Sequence, residues 1–194
     1  MNEKKSVQNS GPDNMYRLIF TLVMIGIISG FVLSFVFQWT APHIEQHRLA
    51  AQREAVFSVL PGTVEYEEEI GERVVFFRGF DEHDNQTGVA VLISGSGFQG
   101  DIEIMVGTDP RAEKIRGIKI LDHTETPGLG ARITEQQFLN HFEDMPFGTY
   151  QLVQQDPGEM EVEGISGATI SARNVVQIVE RAVGKIQDYT GGGR

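Results

Sequence analysis

Between Leu18 and Phe37 the chain runs for twenty residues without a charge. As a helix such a run rises about 30 Å, the hydrocarbon thickness of a bilayer. Tyr16 and Trp39 stand at its two ends, where aromatic residues meet a membrane interface. A cleaved leader would carry a shorter apolar core, of roughly 7–15 residues, ahead of a small-x-small site. Thr40-Ala41-Pro42 is a poor site of that kind. The run therefore reads as a retained anchor over residues 18–39, behind an N-terminal tail of residues 1–17. Lys4, Lys5 and Arg17 precede it, against Arg48 and Arg53 after it. That bias favours a cytoplasmic N-terminus, a single pass, and translocation of everything from residue 40 onward. Gly26 and Gly30 carry the small-xxx-small spacing that lets transmembrane helices pack closely.

Charge separates the two parts of the chain. The whole carries 16 basic and 27 acidic residues, a net −11. From Thr40 onward there are 13 basic and 25 acidic residues, a net −12, so the acidity belongs to the C-terminal part. A surface of that sign excludes a nucleic-acid partner, whose phosphates need a basic face. The absence of cysteine excludes disulfides, thiolate metal sites and cysteine-ligated iron–sulfur clusters in this chain.

Residues 42–60 read as an amphipathic helix opened by Pro42 and stopped by Pro61-Gly62, making a stalk over residues 40–62. Its apolar positions are Ile44, Ala51, Ala55, Val56, Val59 and Leu60. His43 and His47 have the spacing of a helical zinc pair. The acid that a zinc protease needs directly after the first histidine is one place late, at Glu45, so no metal site is expected. Strands are expected around Glu65–Ile70, Val74–Phe80, Gly88–Ile93, Ile102–Gly107 and Ile115–Leu121, with a turn at residues 81–85. Ser94–Gly100 reads as a glycine-rich loop without the lysine or spacing of a nucleotide-binding loop. His123–Arg132 is a second dense segment, expected to leave a sheet edge. Pro127-Gly128 fixes a turn in it, and Gly130 suggests another special backbone angle. Thr134 is expected to cap the helix that follows. Strands followed by helices favour an α+β domain over residues 63–190, before a short tail at 191–194.

Ser166-Gly167-Ala168-Thr169-Ile170-Ser171 opens the last helix, whose apolar stripe is Val175, Val179, Ala182, Val183 and Ile186. The first N–H groups of a helix lack intrahelical partners, and the dipole favours an anion there. Two readings of the residues stay open: a site for a phosphate, or a helix start capped by Ser166 or Thr169. No serine stands in a hydrolase elbow or a recognisable triad, so no catalytic residue is assigned.

Taken in order, anchor, stalk, glycine-rich loop, His-x-Glu-Thr-Pro-Gly-Leu-Gly at 123–130 and Ser-Gly-Ala-Thr at 166–169 resemble the covalent FMN-binding domain proteins. These include the G subunits of Rnf ion-translocating oxidoreductases and the C subunits of sodium-pumping NADH:quinone reductases; the short length is closer to the G type. The resemblance implies an α+β fold of mainly antiparallel strands packed with helices behind one transmembrane helix. It implies FMN joined through a phosphoester to Thr169, with Ser166, Gly167, Ala168 and Ser171 around it. Glu125, Thr126, Pro127, Gly128, Leu129 and Gly130 would lie beside the flavin. Glu163 stands where the family's transferase motif usually begins with Asp. The implied role is electron relay within a complex that couples ferredoxin/NAD-type redox to ion translocation. The chain would be a redox subunit rather than a catalyst on its own, in a bacterial plasma membrane with its domain outside the cytoplasm. Implied partners are the other subunits, a flavin transferase during maturation, and the bilayer. The alternatives are a C-type subunit and a non-redox membrane-anchored scaffold.

Overall fold

The longest element, helix α1 (Pro12–Val59), joins two expected helices into one. The computed structural model describes residues 12–71 and 74–191, apart from the side chains of residues 12–14, 42 and 43. Expectations that rest on Lys4, Lys5, the His43 side chain, Gly192 and Gly193 lie outside the described residues. The anticipated new helix start at Pro42 is absent: α1 runs through that position. A proline inside a helix generally costs about 3 kcal/mol, through its missing N–H and crowding of the carbonyl four residues back, yet it does not end α1 here.

Contacts divide the chain into two units, residues 1–49 and 50–194. In the first, the apolar side chains of α1 point outward all round, with Phe31 71% and Leu33 72% exposed. Among the described residues nothing packs on these side chains, and residues 15–59 contain a segment long and apolar enough to cross a membrane. Gly26 and Gly30 leave open space at the helix surface.

The second unit is built on a five-stranded antiparallel meander: β1 (Glu65–Ile70), β2 (Val74–Phe80), β3 (Gln86–Ser96), β4 (Asp101–Thr108) and β5 (Ile115–His123), in that spatial order. Two-residue alternation sends neighbouring side chains to opposite faces. On one face Val89, Val91, Ile93, Ile104 and Val106 pack under helix α3 (Thr169–Gly191), meeting Val175, Ile178, Val179 and Ala182. On the other, Phe77, Ala90, Leu92 and Met105 meet Ala55, Val56, Val59 and Leu60 from the end of α1. The apolar run Val89–Ile93 is therefore continuous because both of its faces are covered. The residues read as a stalk end inside the domain core. Gly107 admits them: a Cβ there would fall 2.3 Å from the Val59 carbonyl oxygen.

β3 takes in Ser94, Gly95 and Ser96, so the expected glycine-rich loop shrinks to residues 97–100. Gly95 fits a strand because Ile178 and Arg181 of α3 lie directly over its backbone. The acidic edge strand β1 is tied down by Arg78, whose guanidinium lies 2.9 Å from Glu67, and by Tyr189, whose hydroxyl donates to Glu69 at 2.7 Å. Partial burial, helped by that hydrogen bond, raises the Tyr189 phenol.

Past the opposite edge strand, β5, the chain makes a 3-10 turn (Gly130–Thr134), helix α2 (Gln136–Leu139) and a second 3-10 turn (Asn140–Phe142). Thr134 is not the cap of α2. Its hydroxyl bonds back to the Ala131 carbonyl at 2.9 Å, and Glu135 takes the cap position. Two short parallel strands, β6 (Gln151–Val153) and β7 (Glu161–Glu163), lead into α3. Burial pushes the nearby Tyr150 phenol up to about 12, and the Glu180 carboxylate adds to it. All five stripe residues expected on α3 are buried, together with Ala172, Val176 and Ile178.

Candidate functional site

Three segments far apart in the chain meet at the start of α3. The 97–100 loop between β3 and β4, the 124–130 loop after β5 and the Gly167–Ser171 turn enclose a cavity of about 370 Å³. That volume falls in the range of small-molecule sites. Its lining includes Glu125, Thr126, Leu129, Gly130, Gly167, Ala168, Thr169 and Ser171. Ser166 lies on the neighbouring recess, while Pro127 and Gly128 shape the turn without lining the cavity.

The turn into α3 depends on Gly167, at φ +80°, in the left-handed region that favours glycine. Neither Ser166 nor Thr169 is the cap. Ala168 precedes the first helical residue, its carbonyl accepting from Ala172 N–H at 3.0 Å. Among the described residues the Ser166 and Thr169 hydroxyls make no hydrogen bond, and both residues are exposed. Thr169, Ile170 and Ser171 are the first three residues of α3, so their N–H groups have no carbonyl within the helix to bond. Unpaired donors and a free hydroxyl at a positive helix end are a fit for a phosphate monoester or diester.

Ser171 ties the start of α3 to the 124–130 loop. Its hydroxyl is buried and donates to Glu125 Oε2 at 2.8 Å. Glu125, itself only 5% exposed, accepts from Phe98 N–H on Oε1 at 2.5 Å. Gly130 is needed for room, not for a special backbone angle. A Cβ there would sit 2.5 Å from Glu125 Oε2, whereas positive φ occurs at Gly128, at +76°. Thr126 accepts from Gln99 Nε2 at 2.7 Å, a second tie between the two loops.

Sequence reasoning missed Phe98 and Ile170, which with Leu129 form an exposed apolar rim on this cavity (61%, 50% and 51% exposed). A large aromatic residue isolated among the glycines of the 97–100 loop was the available signal. It also missed Arg173, Gln154 and Gln155, which line a polar recess of about 560 Å³ on the other side of Thr169. Glu163 lies at the end of β7, 4.0 Å from His141 Nε2. No group of residues among those described is arranged to hold a metal ion. An apolar rim on one side of a free hydroxyl and polar groups on the other suit a ligand with a flat aromatic part and an anionic tail.

Residues 97–184 match the family model described as an FMN-binding domain. The chain is 30% identical over 183 residues to the G subunit of the ion-translocating oxidoreductase complex of Methanosarcina acetivorans, covering 90% of this chain and 96% of that protein. It is 25% identical over 181 residues to the G subunit of the proton-translocating ferredoxin:NAD(+) oxidoreductase complex of Clostridium ljungdahlii, covering 93% and 96%. The crystal structure of NqrC from Shewanella oneidensis shares the fold, with a TM-score of 0.51 and 21% identity over 61% of this chain and 64% of that one. The C subunit of the Na(+)-translocating NADH-quinone reductase of Parabacteroides distasonis superimposes similarly, at a TM-score of 0.51 and 23% identity over 59% and 61%. Full-length likeness to the G subunits, an FMN-binding domain and the apolar helix of a membrane-anchored protein agree: the chain belongs to the G-subunit family of ion-translocating oxidoreductase complexes.

Proposed function

We propose that this chain is the membrane-anchored electron-relay subunit of such a complex, carrying FMN in phosphoester linkage on Thr169. The observation that supports this reading best is the meeting of both motif segments around one cavity beside a free hydroxyl at the mouth of α3. Thr169 would be the acceptor: its Oγ would bond to the flavin-side phosphorus of FAD as the pyrophosphate bond breaks, with AMP leaving and the hydroxyl proton passing to a base of the flavin transferase. The first N–H groups of α3 would hold the remaining phosphate charge. Gly167 keeps the approach to Thr169 free of a side chain. Phe98, Leu129 and Ile170 would offer apolar surface to the ring system. When bound, FMN supplies one- and two-electron transfer, and the protein's contribution is position and electrostatics.

The reading includes a cytoplasmic N-terminus and an extracytoplasmic domain in a bacterial plasma membrane. A covalent bond suits a carrier held outside the cell's flavin pool. The other subunits of the complex are its working partners, and the transferase acts once, during maturation. Thr169→Ala in the full chain, co-produced with the transferase, tests the attachment. Flavin fluorescence at the protein's mass on a denaturing gel is expected for the parent and lost in the variant, with the adduct mapping to the Thr169 peptide. Covalent flavin persisting in Thr169→Ala would refute the assignment.

A further inference from the structure

Among the described residues Glu125 is the one buried carboxylate at the cavity, and it is held from two sides. Its two oxygens accept from two different segments, Phe98 N–H on the 97–100 loop and Ser171 O–H in the first turn of α3. Two glycines make room for it. A Cβ at Gly97 would fall 2.4 Å from Oε1, and one at Gly130 would fall 2.5 Å from Oε2. Among the described residues no Lys, Arg or His forms an ion pair with it. The carboxylate is thus held by a backbone amide, a hydroxyl and the positive end of α3, and its charge is not cancelled by a cation.

Both oxygens accept from protein donors, which fixes the carboxylate in place as part of the cavity wall. A negative charge in a poorly screened spot acts over several ångströms, because interaction energy falls only as distance times local dielectric. Adding an electron to a group in the same cavity places a second negative charge near the first. We infer that Glu125 lowers the reduction potential of the flavin held beside it, acting through its fixed charge, while its two hydrogen bonds lock Phe98 and Ser171 into the cavity wall. This rests on the flavin-carrier reading proposed above.

Glu125→Gln separates charge from shape. The amide oxygen keeps the bond from Phe98 N–H, and the amide nitrogen donates to Ser171 Oγ once that hydroxyl rotates. The full chain is loaded by the transferase, purified in detergent and titrated spectroelectrochemically. In the protein that carries flavin, Glu125→Gln is expected to shift the flavin midpoint potential upward. Glu125→Asp, which retains the charge, is expected to lack that upward shift. A loaded Glu125→Gln protein whose potential is unchanged or lower overturns the inference. Should that variant not accumulate, Ser171→Ala decides: it leaves the charge and removes a hydroxyl dipole that offsets it, so the potential should fall. An unchanged or raised potential there overturns the inference equally. Wild-type protein that carries no flavin at all refutes instead the reading on which the inference rests.

Discussion

Replacing Leu60 with alanine tests whether the end of α1 belongs to the domain or to a stalk. Leu60 is fully buried among Val56, Val59, Phe77 and Met105. Beneath it lie Gly79 and Gly88, register partners on β2 and β3. A Cβ at Gly79 would come 3.0 Å from Leu60 Cδ1, and one at Gly88 would come 2.8 Å from Cδ2. Truncation of a buried leucine costs roughly 2–5 kcal/mol, more where the surroundings cannot collapse into the cavity. Two glycines have no side chains to move into the space, and paired strands cannot close on it. The loss should therefore fall in the upper part of that range, about 3–5 kcal/mol, a large share of a typical domain's 5–15 kcal/mol. For a domain of this size it corresponds to roughly 8–15 °C in Tm. Leu49, 55% exposed, is the matched control; its alanine variant should stay within about 0.5 kcal/mol of the parent. Urea unfolding followed by circular dichroism reads both variants in the full chain. Equal, small effects of the two substitutions would refute the packing argument and restore an independent stalk.

Asp109 holds the turn between β4 and β5. Its Oδ1 accepts from Glu113 and Lys114 N–H at 2.7 and 2.8 Å, and Oδ2 from Arg111 N–H at 3.3 Å. Burial works to raise its carboxyl, but those three bonds prevail and hold it below its ordinary 3.8. A depressed folded value makes its contribution to stability complete above pH 3.8 and lost as pH falls through the lower folded value. The stability gap between wild type and Asp109→Asn should accordingly narrow under acid; a gap constant from pH 7 to pH 2 contradicts this. Gly167→Ala puts a Cβ on a residue at φ +80°, with Leu129 Cδ2 at an ordinary 3.4 Å, so its cost is backbone strain of about 1–2 kcal/mol. Thermal unfolding of that variant with no loss would show that the turn relaxes.

Much of the framework is legible along the chain because it depends on near neighbours. β1 and β2 begin and end where expected, since turn residues bound them and alternation marks their faces. The α3 stripe follows from the 3.6-residue period alone. Ser94–Ser96 misled because glycine and serine signal a loop only when nothing covers them, and here α3 lies over Gly95. Pro42 misled because a proline that suits a helix start does not always mark one: here α1 continues on both sides of it. The candidate site divides along the same line. Both motifs were visible and meet at one cavity, and only the fold shows that Ser171 and Glu125, one from each, bond to each other.

The sequence by itself determined the apolar span, the acidic domain, the alternating strands, the last helix and the two motifs, since each is a property of residues within a few positions of one another. Only the tertiary structure decided that the far end of α1 would cover one face of the sheet. Only it decided that Gly97, Glu125, Gly130 and Ser171 would share a single buried carboxylate. Those outcomes depend on strand register and on hydrogen bonds between residues 27 and 46 positions apart, which no local pattern encodes.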